Sequence, residues 1–175
     1  MAATAPNSDW QSATPLFGGA MTIALPVGWI DASDLRPVPD NQEVWLEHGD
    51  GDRSLVVELL ERVHGEDSES AVVHFQEIAA TNDAVDSTIR TCCALPNAPL
   101  EMPTFMVSGI QRLRSCHEIK VVLALLRLEQ QNTDIVMSLS NPKIEESHVE
   151  QDDNELMLSL LARFCIHDWG LFVNG

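Results

Sequence analysis

At 175 residues and 45% hydrophobic side chains, the chain has the length of one domain and enough apolar surface for a core, which excludes disorder throughout. Ten Lys and Arg against 27 Asp and Glu leave a formal net charge of −17. That balance argues against nucleic acid or an anionic membrane as partner, since each needs a basic footprint, and points to cations or basic proteins.

The charge is uneven. Residues 47–69 hold eight acids and two arginines, residues 145–155 hold six acids and no base, and residues 112–144 hold five bases and three acids. No stretch approaches the roughly 18–20 uninterrupted apolar residues of a membrane span, so no membrane insertion is expected. Residues 1–15 lack the basic start of a signal peptide and read as a disordered tail, leaving residues 16–175 as a single domain. Cys92, Cys93, Cys116 and Cys165 include an adjacent pair and no Cys-x-x-Cys, which fits a reducing nucleocytoplasmic compartment.

In chain order, residues 21–26 (MTIALP) form a short half-alternating strand stopped by Pro26 and Gly28. Asp31 or Ser33 caps a helical turn through Leu35, and Pro37 and Pro39 force the chain out of it. VWLEH and SLVVELLERV, separated by Gly-Asp-Gly-Asp at 49–52, read as two strands of a hairpin, with a helix as the competing reading of the second. Residues 68–82 place Val72, Phe75, Ile78 and Ala79 at helical spacing. Four further β-rich runs follow: STIRTCCAL, TFMVSGIQRL, EIKVVLALLRLE and TDIVMSLS. The VVLALL core of the third is apolar enough to be central and buried on both faces. The acidic 145–155 run reads as a solvated connector, and residues 155–167 as a closing helix with Leu156, Leu160, Leu161 and Phe164 in one stripe. Consecutive strands with two main helices predict an α+β fold built on an antiparallel sheet.

Chemical motifs are sparse. There is no Gly-rich phosphate loop between a strand and a helix, and the six histidines show no metal spacing, so neither cofactor nor metal is expected. Asp50-Gly51-Asp52 fits a hairpin turn better than a calcium loop. Cys116 and His117 would point to opposite faces of a strand, with the thiol buried, and no nucleophile, base and oxyanion donors converge. Glu58 and Glu61 stand inside the otherwise apolar LVVELLERV run. Three apart on a regular strand they face opposite sides, and they share a surface only at a bulge, a strand end or on a helix. A solvated strand face and a binding surface both fit them.

LFGGAMTIALPVGWIDASDLRPVPDNQEVWLE followed by SLVVELLE, residues 16–61 in ordered blocks, resembles the Ran guanine nucleotide release factor family, and ALLRLEQQNTDIVMSLSNP at 124–142 resembles that family's later segment. The resemblance implies a PsbP-like α/β/α sandwich with an antiparallel sheet of about six strands and helices on both faces. It implies a monomer that binds the small GTPase Ran and promotes release of its guanine nucleotide, in support of nuclear protein import, in nucleus and cytoplasm, without being an enzyme. Carried over by motif, the Ran-binding surface falls on Asp34, Asp40, Glu43, Glu58 and Glu61, with Arg36 and Gln42 adjoining. A PsbP-like scaffold or ligand-binding module without GTPase specificity is the alternative, since one fold hosts many functions.

Overall fold

The computed structural model describes residues 9–49, 51–96, 101–144 and 149–172, the last stretch with side chains from residue 153 onward. Ten strands are described: β1 (Thr14–Leu16), β2 (Met21–Ile23), β3 (Trp29–Asp31), β4 (Gln42–Glu47), β5 (Ser54–Glu61), β6 (Ala84–Ala94), β7 (Thr104–Leu113), β8 (Glu118–Leu128), β9 (Thr133–Asn141) and β10 (Phe164–Ile166). The two helices are α1 (Asp67–Thr81) and α2 (Val149–Leu161). Seven strands form one sheet in the order β3-β4-β5-β9-β8-β7-β6, every neighbour antiparallel, and β1, β2 and β10 form a small second sheet.

The expected α+β class with helices on both faces of an antiparallel sheet is what the structure has. Strand β8 shows why. Val122, Ala124, Leu126 and Leu128 join Met157, Leu160 and Leu161 of α2 in one core, while the alternate Val121, Leu123 and Leu125 join Ala71 and Phe75 of α1 in the other. A strand with apolar residues on both faces needs a helix above and a helix below, and the period of two delivers one set to each. Asp67 and Glu69 in the first turn of α1 suit the positive end of its dipole.

Four local expectations are corrected. Within the stretch read as a tail, Trp10 already bridges Pro26 and β1 pairs with β2 from Thr14 on; residues 1–8 lie outside the described residues. The closing helix ends at Leu161 instead of His167, and Phe164 lies in β10, drawn there by pairing with Ile23 of β2. The acidic run is no simple connector: residues 149–155 are helical, and Asp153 is buried, accepting from Asn141 Nδ2 at 2.9 Å beside Arg53. Cys116 sits exposed in the β7–β8 turn with φ 67°, not buried in a strand.

Candidate functional site

The β4–β5 hairpin carries most of the residues singled out above. Its strands pair from Gln42↔Glu58 to Leu46↔Ser54, so the N-terminal end of β4 and the C-terminal end of β5 lie together at one end of the sheet. The approach to that end is fixed locally. Asp31 Oδ1 accepts from Ser33 N at 2.8 Å and caps a 3-10 turn over Ala32–Asp34, as the sequence predicts, and Pro39 O accepts from Gln42 N at the entry to β4. Asn41 Nδ2 donates to Leu59 O at 3.1 Å and ties this entry to β5.

Two clefts open here. One, of about 490 Å³, is lined by Asp31, Asp40, Gln42, Glu43, Leu59 and Leu171 among others. The second, of about 590 Å³, runs along Leu59, Leu60, Glu61, Asn132, Leu171 and Phe172. Leu59 and Leu171 belong to both, so the clefts are neighbours across one apolar ridge. Asp40, Gln42, Glu43 and Glu61 are thereby brought to one end of the molecule, with Asp34 and Arg36 exposed on the segment leading into it.

Glu58 and Glu61 are not brought onto one face. The β5–β9 register runs without a shift from Ser54↔Ser140 to Glu61↔Thr133. Glu58 therefore lies on the α1 side, level with Val136, and Glu61 on the α2 side, in line with Leu55, Val57 and Leu59.

Side-chain partners divide the set further. Glu43 Oε1 accepts from Phe17 N at 2.6 Å, holding a turn in which Phe17 has φ 49° and Gly18 φ 68°. Glu58 Oε1 accepts from Gln42 Nε2 at 2.9 Å. Among the described residues, Asp34, Arg36, Asp40 and Glu61 carry no side-chain hydrogen bond or ion pair, and all four are exposed. Glu43 thus serves the local architecture, while Asp34, Asp40 and Glu61 present unengaged carboxylates to solvent.

Sequence reasoning missed the apolar part of this end. Phe17, Leu59 and Leu171 line the clefts, and Leu35, between the two flanking charges, is 66% exposed. Leu171 arrives on a 3-10 turn (Trp169–Phe172) far away in sequence, which no local pattern announces. Elsewhere, Cys165 Sγ lies 3.9 Å from His167 Nδ1, two residues apart on the outer face at β10, and both are exposed. Among the described residues, no three His, Cys, Asp or Glu side chains are grouped so as to hold a metal ion, and no helix is long and apolar enough to cross a membrane.

A seven-stranded antiparallel sheet with a helix on each face places the molecule in the PsbP-like class: cyanobacterial PsbP from Synechocystis superposes with a TM-score of 0.65 at 10% identity, covering 95% of this chain and 98% of that one. Within that class the sequence is more specific. The family described as Ran-interacting Mog1 protein matches residues 14–142, and the chain belongs to it. The human Ran guanine nucleotide release factor is 37% identical over 139 residues, 73% of this chain and 74% of the relative. The Saccharomyces cerevisiae nuclear import protein MOG1 is 30% identical over 185 residues, 90% of this chain and 83% of the relative. The crystal structure of that yeast's Ran-binding protein Mog1p superposes with a TM-score of 0.76 at 24% identity, covering 92% of this chain and 97% of that one.

Proposed function

We propose that this protein binds the GTPase Ran through the open end of the β4–β5 hairpin and promotes release of its guanine nucleotide, acting as a monomer in nucleus and cytoplasm in support of nuclear import. The observation that carries the reading is the set of unengaged carboxylates, Asp34, Asp40 and Glu61, around two adjoining clefts with an apolar ridge between them. Family membership and the names of the relatives supply the partner.

The chemistry follows from how a GTPase holds its ligand. A P-loop lysine, backbone N–H groups and Mg²⁺ neutralise the phosphates, and the switch loops close over them. A partner that offers carboxylates to those positive groups, or to basic residues on displaced loops, stabilises the nucleotide-free form. We assign this role to Asp40 and Glu61, with Glu58 and Gln42 as a hydrogen-bonded pair on the α1 side and Glu43 holding the cleft wall. By linkage, a protein that prefers empty Ran is expelled by excess nucleotide.

Fluorescent GDP or GTP loaded on Ran, with release followed on adding the protein, tests the reading. Glu61→Lys should slow accelerated release at least roughly tenfold, the scale of a reversed close charge contact at an interface. Glu61 has no partner within the described residues, so the variant should fold normally. Wild-type release by Glu61→Lys and Asp40→Lys together would refute the surface. Absence of both binding and acceleration by the unmodified protein would leave the scaffold alternative.

A further inference from the structure

Glu61 is the last residue of β5, and a buried polar row holds the chain beyond it. Leu60 of β5, Asp134 of β9 and Arg127 of β8 stand level in the register of the sheet, so their side chains share the face that α1 covers. His74, from the buried stripe of α1, comes down onto them. Asp134 is fully buried, the Arg127 side chain is 1% exposed and that of His74 2%.

The bonds of this row run to one another and to one short backbone segment. Asp134 Oδ2 meets His74 Nε2 at 2.8 Å and accepts from Val63 N at 3.0 Å, and Asp134 Oδ1 lies 3.0 Å from Arg127 Nε. Arg127 Nη2 donates to Val63 O, and Arg127 Nε lies 3.7 Å from Asp67 Oδ1 in the first turn of α1. The other ring nitrogen of His74 is 3.1 Å from Glu77 Oε2. Both polar backbone groups of Val63, two residues beyond Glu61, are therefore held by buried side chains of β8 and β9.

A charged row is a poor core filler. Desolvating ionised groups offsets much of what their attraction gains, and apolar residues of like volume often fill such a place with equal or better stability. Stability alone thus gives no reason for a carboxylate and a guanidinium this deeply buried. What a hydrocarbon side chain could not do is grip the N–H and C=O of Val63, since it offers neither acceptor nor donor. The residue that stands opposite Leu60, before Glu61, also takes the Val63 N–H after it, so Asp134 brackets Glu61 and Arg62.

We propose that Asp134, Arg127 and His74 are positioning residues for the partner-binding surface: they fix the course of the chain as it leaves β5, and with it the direction in which Glu61 meets Ran. The proposal rests on the reading of Glu61 as a Ran contact. His74 and Arg127 steady the Asp134 carboxylate, Asp134 and Arg127 hold Val63, and α1 is tied to the site through His74 and Asp67.

The test uses the full-length protein and nucleotide-free Ran, with the lifetime of the complex followed by stopped flow in a double-mutant cycle. Glu61→Ala should shorten that lifetime by about tenfold. The combined His74→Leu, Arg127→Met and Asp134→Leu variant should keep a thermal midpoint at or above that of the unmodified protein and shorten the lifetime about tenfold, leaving Glu61→Ala less than about twofold further effect. His74→Leu alone serves if the triple variant does not fold, with a loss of about threefold that is absent in the Glu61→Ala background. His74→Gln, whose Nε2 still donates to Asp134, should restore the unmodified lifetime. Without Ran, hydrogen exchange of the Val63 amide should quicken at least about tenfold in the triple variant and in His74→Leu, while that of the β8 amides stays as it was. Additive effects of Glu61→Ala and the other substitutions, failure of His74→Gln to restore the lifetime, or an unchanged Val63 amide would overturn the positioning role. Failure of the unmodified protein to bind Ran would bring down the reading of the site itself, an outcome distinct from a complex that forms and is indifferent to the three residues.

Discussion

Glu47 and Arg53 face each other across the β4–β5 hairpin with paired contacts of 2.7 and 2.8 Å, and Arg53 reaches on to the buried Asp153 of α2 at 3.4 Å. The hydrogen bonds from Arg53, more than its charge at a distance, hold the Glu47 carboxyl below its ordinary value of 4.5 against the opposing effect of burial. A carboxylate held down in this way stabilises the fold when ionised. Its contribution is complete above the unfolded value near 4.5 and disappears as pH falls through the lower folded value. Glu47→Gln should therefore be about 1 kcal/mol less stable than wild type at pH 7, the scale of a partly exposed ion pair, and the gap should shrink at pH 3, where wild type itself has begun to lose the contribution. Urea midpoints at the two pH values check this, and an equal deficit at both would assign the loss to packing. Asp34, Asp40 and Glu61 differ from Glu47 in having no such partner among the described residues, which is why they are available to another molecule.

Among the elements, β7 depends on a residue with no side chain. Gly109 pairs with Ile89, and the register of β6 against β7 slips immediately afterwards, with Thr91 opposite Ser108 and Arg90 as the extra residue. A Cβ at Gly109 would stand 2.3 Å from Thr88 O and 2.8 Å from Phe75 Cζ. Backbone of a paired strand cannot give way, and Phe75, on the sheet-facing side of α1, is fully buried. Gly109→Ala should cost about 2–3 kcal/mol by overpacking, read as a lowered urea midpoint with an unchanged slope. Much of this level was legible in the sequence: the hairpin at 49–52, α1 and the doubly buried β8 all follow from period and turn residues. What was not legible depended on distant partners. Asp153 looks solvated by composition, yet its partners are Asn141 and Arg53; Phe164 fits a helical stripe, yet β2 claims it for a strand. The site divides similarly. Its acids were readable as a motif, and strand parity already set Glu58 and Glu61 apart, whereas the clefts exist only because the turns holding Phe17 and Leu171 fold back against β4 and β5.

For the molecule as a whole, the charge of −17 is not one uniform field. The open end of the hairpin presents free carboxylates, and a neighbouring cleft mixes Arg62 and Arg127 with Asp67, Glu101 and Glu129, so a docking protein meets a mainly acidic end of the sheet in which a few basic groups are set. Such an arrangement separates the terms of association. The long-range field of a strongly acidic body accelerates encounter with a basic partner and is screened by salt, while close contacts in partly enclosed clefts govern how long the complex lasts. Raising salt from about 0.05 to 0.5 M should therefore slow association with Ran by roughly tenfold or more while changing dissociation only about two- to threefold. Surface charges away from the clefts should act on the same rate: neutralising Glu66 and Glu69 at the start of α1 should flatten the salt dependence of association and leave dissociation as it was. Stopped-flow association with nucleotide-free Ran measures both rates. If salt acted chiefly on dissociation, the acidic field would have no steering role, and recognition would rest on the contacts within the clefts alone.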